Sequence, residues 1–425
     1  EVSDDDCSSS LGATRSFMPI RSRKLQLVVL GLVAFVTSFG AHVVAVNLPV
    51  YAQQVGAGAF VIGLLIAVYD FAELGAKPVF GFVADRRGTK ATMLVGIAVF
   101  SIASLSFLIL PPRLLLVVRL LQGLGAAALS ITSAALVADY FAEGRARAFG
   151  IYNAIKGAGY VLSPVLGGAI VWASSFSMIF VACFVVGAVA FILCLGLPRA
   201  SQDSGLDDDD AVSFKVFLDA VRDRALLPWY AIIVVNMFLV GILFGFLPVY
   251  VYSLGYNQLR NGLIVASATT SYLLVQPVAG MLADRFDALK VMRAGLVLSS
   301  LGVLLVPFTA GMALVAACVV GGVGVGTVWT NSDAMVSQLA KRGRTASALG
   351  IAGSFKELGD MLGPLLIGAL TQAFGLKVSF VTCGVIGLSS IVFLGIAASQ
   401  GSKSRALIRA DDAGGTDPES ARSRS

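Results

Sequence analysis

Six charged residues lie in two otherwise apolar stretches, and their side chains are the main candidates for chemistry in this sequence. In the first stretch the charges are spaced by three and four residues, which places them on one face of a helix. Ionised side chains in apolar surroundings are costly unless they pair or bind protons. The two stretches carry Asp70, Glu73 and Lys77, and Lys356, Glu357 and Asp360.

The elements that hold these charges are predicted to be membrane-spanning helices. Of the 425 residues, 57% are hydrophobic and only 13% are charged, and the mean hydropathy is +0.86. A water-soluble enzyme has about a quarter charged residues, so that class is excluded for the bulk of the chain. Twelve apolar runs approach or exceed the ~20 residues that a bilayer requires. These runs, spans 1 to 12, are 26–50, 59–83, 91–110, 114–139, 148–172, 176–197, 226–252, 262–283, 291–309, 312–335, 347–372 and 377–398.

Polar segments divide the chain into two sets of six spans. We predict an all-α integral membrane fold with two pseudo-symmetric six-helix halves. The tails and the central loop are rich in polar and charged residues, and we expect both tails to be disordered. The predicted segments are an N-terminal tail 1–24, a first half 25–198, a central loop 199–225, a second half 226–399 and a C-terminal tail 400–425.

The distribution of lysine and arginine predicts the orientation. If the N-terminus is cytoplasmic, 24 of the 31 basic residues lie on the cytoplasmic side, whereas Arg113, Arg260 and Lys377 alone lie outside. Positive residues are retained on the cytoplasmic side of membranes. We therefore expect a multi-pass protein of the inner or plasma membrane with both termini in the cytoplasm.

The two halves repeat each other in sequence. Leu48-Pro49-Val50-Tyr51 recurs as Leu247-Pro248-Val249-Tyr250, and the Lys156 region recurs around Lys356 at an offset of 200. Shared apolar composition does not explain matches of Gly, Pro, Asp and Lys in register. The repeat predicts a substrate site between the halves, near the middle of the membrane.

The loop after span 2 carries a motif that is repeated after span 8. It resembles the signature loop of the major facilitator superfamily, G-x-L-A-D-R-x-G-R-K. The aspartate can accept hydrogen bonds from the N-terminus of a neighbouring helix, where the dipole favours an anion. We expect such a bond to latch the cytoplasmic side; charge anchoring at the membrane surface is the alternative. The motif residues are Gly81, Asp85, Arg86, Gly88 and Lys90, and their second copy is Gly280, Asp284 and Arg285, with Asp287 in place of the later glycine.

Spans 4 and 5 carry two further motifs similar to those of the superfamily. Arg119, in Arg119-Leu-Leu-Gln122-Gly-Leu-Gly, resembles a residue that serves proton relay or substrate binding; a snorkelling residue near the span end is the alternative. The span 5 stretch resembles the motif associated with exporters, although its glycines can also serve packing alone. Its residues are Gly159, Ser163, Pro164, Gly167 and Gly168.

The superfamily fold implies that spans 2 and 11 meet across the two halves. Counting depth from the cytoplasmic ends, we predict the ion pairs Glu73–Lys356 and Lys77–Glu357, and an approach of Asp70 to Asp360. Two carboxylates close together in a low dielectric do not both ionise easily, so one is expected to carry the coupling proton. A static polar network is the alternative. Arg119 and Lys156 bring the interior charges to four of each sign.

Further polar residues in the spans are candidates for the cavity wall. They are His42, Asn47, Gln122, Asn236, Asn331 and Asp333, of which Asp333 can instead cap a helix end. Aromatic candidates for an apolar substrate surface are Tyr69, Phe71, Trp229, Tyr272 and Trp329.

These features predict a secondary active transporter that exports small amphipathic organic molecules in exchange for protons, with Na⁺ as the alternative coupling ion. The chain has no Walker motif, no C-x-x-C and one histidine, so we expect no cofactor, no metal and no enzyme activity. The expected partners are a small-molecule substrate, protons and the bilayer, with no nucleic acid and a monomeric state. The open alternatives are an importer or facilitator of a polar or anionic metabolite, a lipid or lysolipid translocator, a sensor and a membrane enzyme.

Overall fold

All twelve predicted spans are helices in a computed structural model of the chain, which describes residues 22–141, 144–198, 226–339, 345–392 and 394–395. Most of the predicted tails, and the central loop 199–225, lie outside the described residues. Spans 1 to 6 are Arg23–Gln54, Ala59–Arg87, Thr89–Ser106, Leu115–Tyr140, Arg145–Ala173 and Ser177–Leu195. Spans 7 to 12 are Leu227–Gly245 continued by Leu247–Ser253, then Gln258–Arg285, Ala288–Leu305, Gly311–Leu339, Thr345–Phe374 and Leu376–Ser389. Two short 3-10 helices, Pro112–Leu114 and Val306–Phe308, precede span 4 and follow span 9.

Within the described ranges, ten helices are long and apolar enough to cross a membrane, and they are spans 1 to 10. Span 11 has 30 residues, but its hydropathy is reduced by Lys356, Glu357 and Asp360. The helix of span 12 has 14 residues. Span 7 is interrupted at Phe246, and the helix restarts with Pro248 in its first turn, where the missing amide hydrogen breaks no helical bond.

The helix contacts repeat between the halves. In the first half, span 1 packs on span 5, spans 2 and 3 pack on span 4, and span 3 packs on span 6. The second half repeats these contacts as span 7 on span 11, spans 8 and 9 on span 10, and span 9 on span 12. The halves meet along two main seams, formed by spans 2 and 11 and by spans 5 and 8. The expected neighbourhood of spans 2 and 11 is confirmed.

The apolar cores differ between the two ends of the helix bundle. We call the end at which span 1 begins the basic end, because Arg23, Arg86 and Arg285 lie there, and we call the other the far end. At the far end a single core joins residues of both halves, including Leu48 and Phe246. Towards the basic end each half has its own separate core. The halves are therefore joined at the far end and separate at the basic end.

Candidate functional site

A cavity of about 320 Å³ lies between the halves, within the usual size range of small-molecule sites. Residues of spans 1, 2, 4, 5, 7, 8, 10 and 11 line it. All eight charged residues that the sequence places in the interior are among them. They are Asp70, Glu73, Lys77, Arg119, Lys156, Lys356, Glu357 and Asp360.

Lys77 joins the two halves through its ammonium group. Its Nζ lies 2.9 Å from Oε1 of Glu73, one helical turn away on span 2, and 2.6 Å from Oε1 of Glu357 on span 11. The predicted Lys77–Glu357 pair is present. One cation thus offsets two carboxylates and ties spans 2 and 11 together in the cavity wall.

The predicted Glu73–Lys356 pair is wrong. The Nζ of Lys356 lies 2.6 Å from Oδ2 of Asp333 on span 10, and 4.6 Å from the ring centroid of Trp329. Glu73 is bound by Lys77 and accepts a 3.4 Å hydrogen bond from the Ser130 hydroxyl. Counting residues from the span ends estimates how deep each side chain lies in the membrane. It does not show in which direction around the helix axis the side chain points, and Lys356 points to span 10.

Two carboxylates in the cavity have no cation bound to them. Asp70 and Asp360 make no hydrogen bond or ion pair with any residue the structure describes, and Oδ1 of Asp360 is fully buried. Asp70 on span 2 and Asp360 on span 11 line the same cavity. The two halves therefore each contribute one uncompensated carboxylate to the same seam.

Arg119 is buried at the base of the cavity, with 1% of its surface exposed. Its Nη1 donates a 2.7 Å hydrogen bond to Oε1 of Gln122, and its guanidinium lies 4.3 Å from the ring centroid of Tyr69. Gln122 in turn donates to Ser104. The burial rules out a side chain that snorkels to the membrane surface, and Gln122 supports Arg119 instead of lining the cavity.

His42 has a fixed ring orientation in the cavity wall. Its Nδ1 lies 2.7 Å from the carbonyl oxygen of Ser38, and the Ser38 hydroxyl donates to the carbonyl of Lys156. The imidazole packs on Tyr160 and Phe244, with centroid distances of 4.1 and 5.0 Å. The Nδ1 contact leaves Nε2 as the nitrogen that can face a ligand.

Four of the predicted cavity residues, besides Gln122, lie outside the lining. Asn47, Asn236 and Asn331 are buried, and each donates to a backbone carbonyl, of Val43, Val325 and Thr327 respectively. Asp333 is bound to Lys356. The sequence shows which spans contain polar side chains, but it does not show which side of the helix these side chains face.

The aromatic predictions divide in the same way. Tyr69, Tyr272 and Trp329 line the cavity, and the rings of Tyr272 and Trp329 are 5.4 Å apart. Phe71 is 60% exposed on the outer surface of the bundle, and Trp229 lies in the core of the second half.

Some residues that line the cavity are not predicted from the sequence, among them Ser130, Tyr160, Phe244 and Thr269. Only Tyr160 carried a signal, since it lies inside the span 5 motif.

The loop motif lies at the basic end, away from the cavity. Asp85 is exposed and makes no hydrogen bond or ion pair with a described residue, and Arg86 lies 4.2 Å from the Phe82 ring centroid. Gly88 ends span 2 at a φ of 93°, which disfavours residues with a side chain. The ammonium group of Lys90 donates to the carbonyls of Leu195 and Leu197, which end span 6.

The second copy of the motif differs in one contact. Asp284 and Arg285 are exposed, and a Cβ at Gly280 would make an ordinary contact, 3.9 Å from Cγ2 of Thr330. Asp287 caps the N-terminus of span 9 by accepting a 3.0 Å hydrogen bond from the amide of Leu289. Asp287, which replaces the glycine of the first copy, therefore serves as the N-terminal cap of span 9.

The span 5 motif contacts two different partners. Gly159 and Gly167 pack on span 1 of the same half, and the buried Ser163 lies between them. Pro164 and Gly168 face span 8 of the other half. Within this motif, the contacts to the other half are therefore made by Pro164 and Gly168.

The cavity is closed towards the far end. A Cβ atom at Gly63 would collide with the carbonyl oxygen of Pro364, and one at Gly262 would collide with that of Pro164. The sequence repeat relates the two contacts, because Gly63 corresponds to Gly262 and Pro364 corresponds to Pro164. Each seam therefore contains one copy of the contact. The Gln54 side chain of span 1 also donates a 3.0 Å hydrogen bond to the hydroxyl of Tyr252 on span 7.

The seams part towards the basic end. Among the described residues, a Cβ built on Gly81, Gly150 or Gly350 would meet no atom within 4 Å. This lack of contacts and the two separate cores indicate that the cavity is open on the side of Asp85. The described chain contains no group of three or more His, Cys, Asp or Glu side chains arranged to hold a metal ion.

Curated relatives of the chain include drug-resistance proteins. The chain is 26% identical over 414 residues to the multidrug resistance protein Stp of Mycobacterium tuberculosis, covering 83% of this chain and 77% of that protein. It is 28% identical over 206 residues to the quinolone resistance protein NorA of Staphylococcus aureus, covering 46% of this chain and 53% of NorA.

Solved structures show the same fold. The nucleoside transporter NupG superposes with a TM-score of 0.75 at 12% identity, over 87% of this chain and 98% of NupG. A family model, described as Major Facilitator Superfamily, matches residues 30–270 and 259–411. With its repeated six-helix halves and the cavity between them, the chain belongs to the Major Facilitator Superfamily, a family of transporters and not of enzymes.

Proposed function

We propose that this transporter exports small amphipathic organic compounds in exchange for protons, by alternating access. The observation that carries the proposal is the pair Asp70 and Asp360, two carboxylates without a bound cation on the seam where the halves meet. The relatedness to Stp and NorA supports the export of organic compounds. The apolar and aromatic surface around the charges suits amphipathic substrates.

The proton is carried by the Asp70–Asp360 pair. Two nearby carboxylates repel each other when both are ionised, and one proton removes that repulsion. The seam of spans 2 and 11 must rearrange when the far end opens, because Gly63 and Pro364 are in contact there now. A proton bound by the two aspartates therefore experiences different electrostatic fields in the two conformations. This difference is what couples proton binding to the conformational change.

The basic end is the cytoplasmic side in this proposal. The excess of Lys and Arg in the loops of that end supports it, and both termini then lie in the cytoplasm of a cell with the protein in its plasma or inner membrane. The segments 1–24, 199–225 and 400–425 are cytoplasmic, and each six-helix half is one domain. The described conformation then faces inward, open to substrates from the cytoplasm.

The test uses purified protein in liposomes with an imposed pH gradient. The fluorescent probe pyranine, enclosed in the liposomes, reports proton movement when aromatic carboxylates, amines or amides are added outside. Asp70→Asn and Asp360→Asn mimic the protonated carboxyl, so each is expected to abolish accumulation against a gradient and to spare substrate exchange without one. Asp287→Asn is the matched control, because asparagine keeps the exposed helix cap.

The two assays separate coupling from transport. If both variants still accumulate substrate under the pH gradient, another group carries the proton, and His42 and Glu357 are next to test. If wild-type protein accumulates substrate equally well without a pH gradient, proton coupling itself is contradicted.

A further inference from the structure

Lys156 is the one lining cation, within the described chain, whose charged group has neither an ion-pair nor a hydrogen-bond partner. Lys77 is bound by two glutamates, and Lys356 by Asp333. Arg119 is held by Gln122 and the Tyr69 ring. The Ser38 hydroxyl donates to the backbone carbonyl of Lys156 and not to its ammonium group.

The charges around Lys156 leave its ammonium group available to a ligand. Glu73, Lys77, Glu357 and Lys356 line the same cavity as Lys156. Both glutamates already share Lys77 at 2.9 and 2.6 Å, so their charge is partly neutralised. Lys156 lies instead on span 5, in the other seam, opposite the wall that carries all four lining carboxylates.

The surface beside Lys156 is aromatic. Tyr160, one helical turn further along span 5, packs on the ring of His42, and Phe244 makes a T-shaped contact with the same ring. Tyr272 lines the cavity from span 8, the neighbour of span 5 in this seam. A free cation beside a row of rings can hold an anionic group and an attached aromatic body at the same time.

We propose that Lys156 forms an anion subsite of the substrate cavity, and that substrates include aromatic compounds bearing a carboxylate. The carboxylate accepts hydrogen bonds from the Lys156 ammonium, and the aromatic body lies on Tyr160, His42 and Phe244. The protons remain on the opposite seam, at Asp70 and Asp360. This subsite rests on the proposed function, since it assigns a substrate class to the same cavity.

The test measures binding by titration calorimetry on the full chain in lipid nanodiscs. Three probes share one ring system and differ in charge: naphthalene-2-carboxylate, naphthalene-2-carboxamide and naphthalen-2-ylmethylammonium. Lys156→Met is expected to weaken carboxylate binding by about 10- to 100-fold, the usual value of a charged hydrogen bond, and to leave amide binding unchanged. Lys156→Arg should retain most of the carboxylate affinity, and Lys377→Met, at an exposed lysine outside the cavity, should retain all of it.

A direct contact and a distant field effect give different patterns. If the charge acts only through the general potential of the cavity, Lys156→Met weakens the carboxylate and strengthens the ammonium probe by the same factor. That result overturns the subsite, as does carboxylate binding that is absent or independent of Lys156. If the amide or the ammonium probe binds and drives proton movement while the carboxylate does not, the proposed function stands and the subsite alone is lost.

Discussion

The Lys77 ammonium is the one charged group in the described cavity that binds carboxylates from both halves. Its two contacts differ in kind, because Glu73 is a neighbour on the same helix and Glu357 belongs to the opposite half. A conformational change can therefore break the second contact while the first still holds the cation. The side chains are about one-tenth to one-quarter exposed, at 26%, 12% and 19% for Lys77, Glu73 and Glu357, so the solvent in the open cavity weakens each pair.

Lys77→Met should lower the stability of the protein. It leaves two neighbouring carboxylates without a cation, and a lost hydrogen bond to a charged group costs about 1.5–3 kcal/mol. The double variant Lys77→Met/Glu357→Gln should recover part of the loss, because one of the stranded charges is gone. The measurement is the thermal unfolding midpoint in detergent for both single variants and the double variant.

A double-mutant cycle evaluates this pair. Strictly additive losses would mean that Lys77 and Glu357 do not interact. The same cycle on Glu73 and Lys356, which are not paired, should be additive and serves as the control.

Residue-level prediction from the sequence succeeded where distance along the helix axis decides the contact. Lys77 and Glu357 were matched by depth alone, and they meet. Glu73 and Lys356 were matched by the same count, and they do not, because Asp333 and Trp329 attract Lys356 towards span 10. The asparagines of spans 1, 7 and 10 failed as cavity residues for a related reason: each satisfies a carbonyl of its own or a neighbouring helix.

At the scale of the elements, the two seams are built from one contact used twice. Gly63 of span 2 lies against Pro364 of span 11, and Gly262 of span 8 lies against Pro164 of span 5. The absence of a side chain lets the backbones touch, and the proline carbonyls occupy the space that a Cβ would fill. The sequence repeat predicted the correspondence of these residues, but not that each glycine faces a proline of the opposite half.

Gly63→Ala should shift the protein away from the conformation closed at the far end. The added methyl group overlaps the Pro364 carbonyl in this conformation, and overpacking of this kind costs about 1–3 kcal/mol. Spin labels at Val55 and Leu254, exposed residues that follow spans 1 and 7, should report a longer distance by electron paramagnetic resonance.

Gly75→Ala provides the matched control for this shift. Gly75 lies on the same helix, and its Cβ position has no neighbour within 4 Å. An equal change of distance in both variants would show that the effect comes from helix propensity and not from the seam.

At the scale of the whole molecule, twofold symmetry and conformational asymmetry coexist. The halves repeat each other's helix contacts, yet a common core joins them at the far end and two separate cores divide them at the basic end. The spans and the repeat were predictable because hydrophobic length and matching Gly, Pro and Asp positions are visible in the sequence. The open end was not, because both conformations of such a transporter share one sequence and differ in which seam contacts are formed.

We expect the loop motif to act in a conformation whose basic end is closed. Asp85 is exposed beside the open end and binds no described residue, as expected for a latch that closes when the basic ends of the halves approach. Asp85→Asn removes the charge that a helix N-terminus would stabilise, an effect of about 0.3–1 kcal/mol, or more in partly buried geometry.

Asp85→Asn is therefore expected to slow turnover while substrate binding persists, because the basic end closes less often. Spin labels at Leu25 and Leu227, exposed residues at the starts of spans 1 and 7, should show a larger open population. Asp284→Asn, in the second copy, should have a smaller effect, because the neighbouring Asp287 is already used as a cap. Wild-type turnover and an unchanged label distance in Asp85→Asn would show that the motif only anchors the loop at the membrane surface.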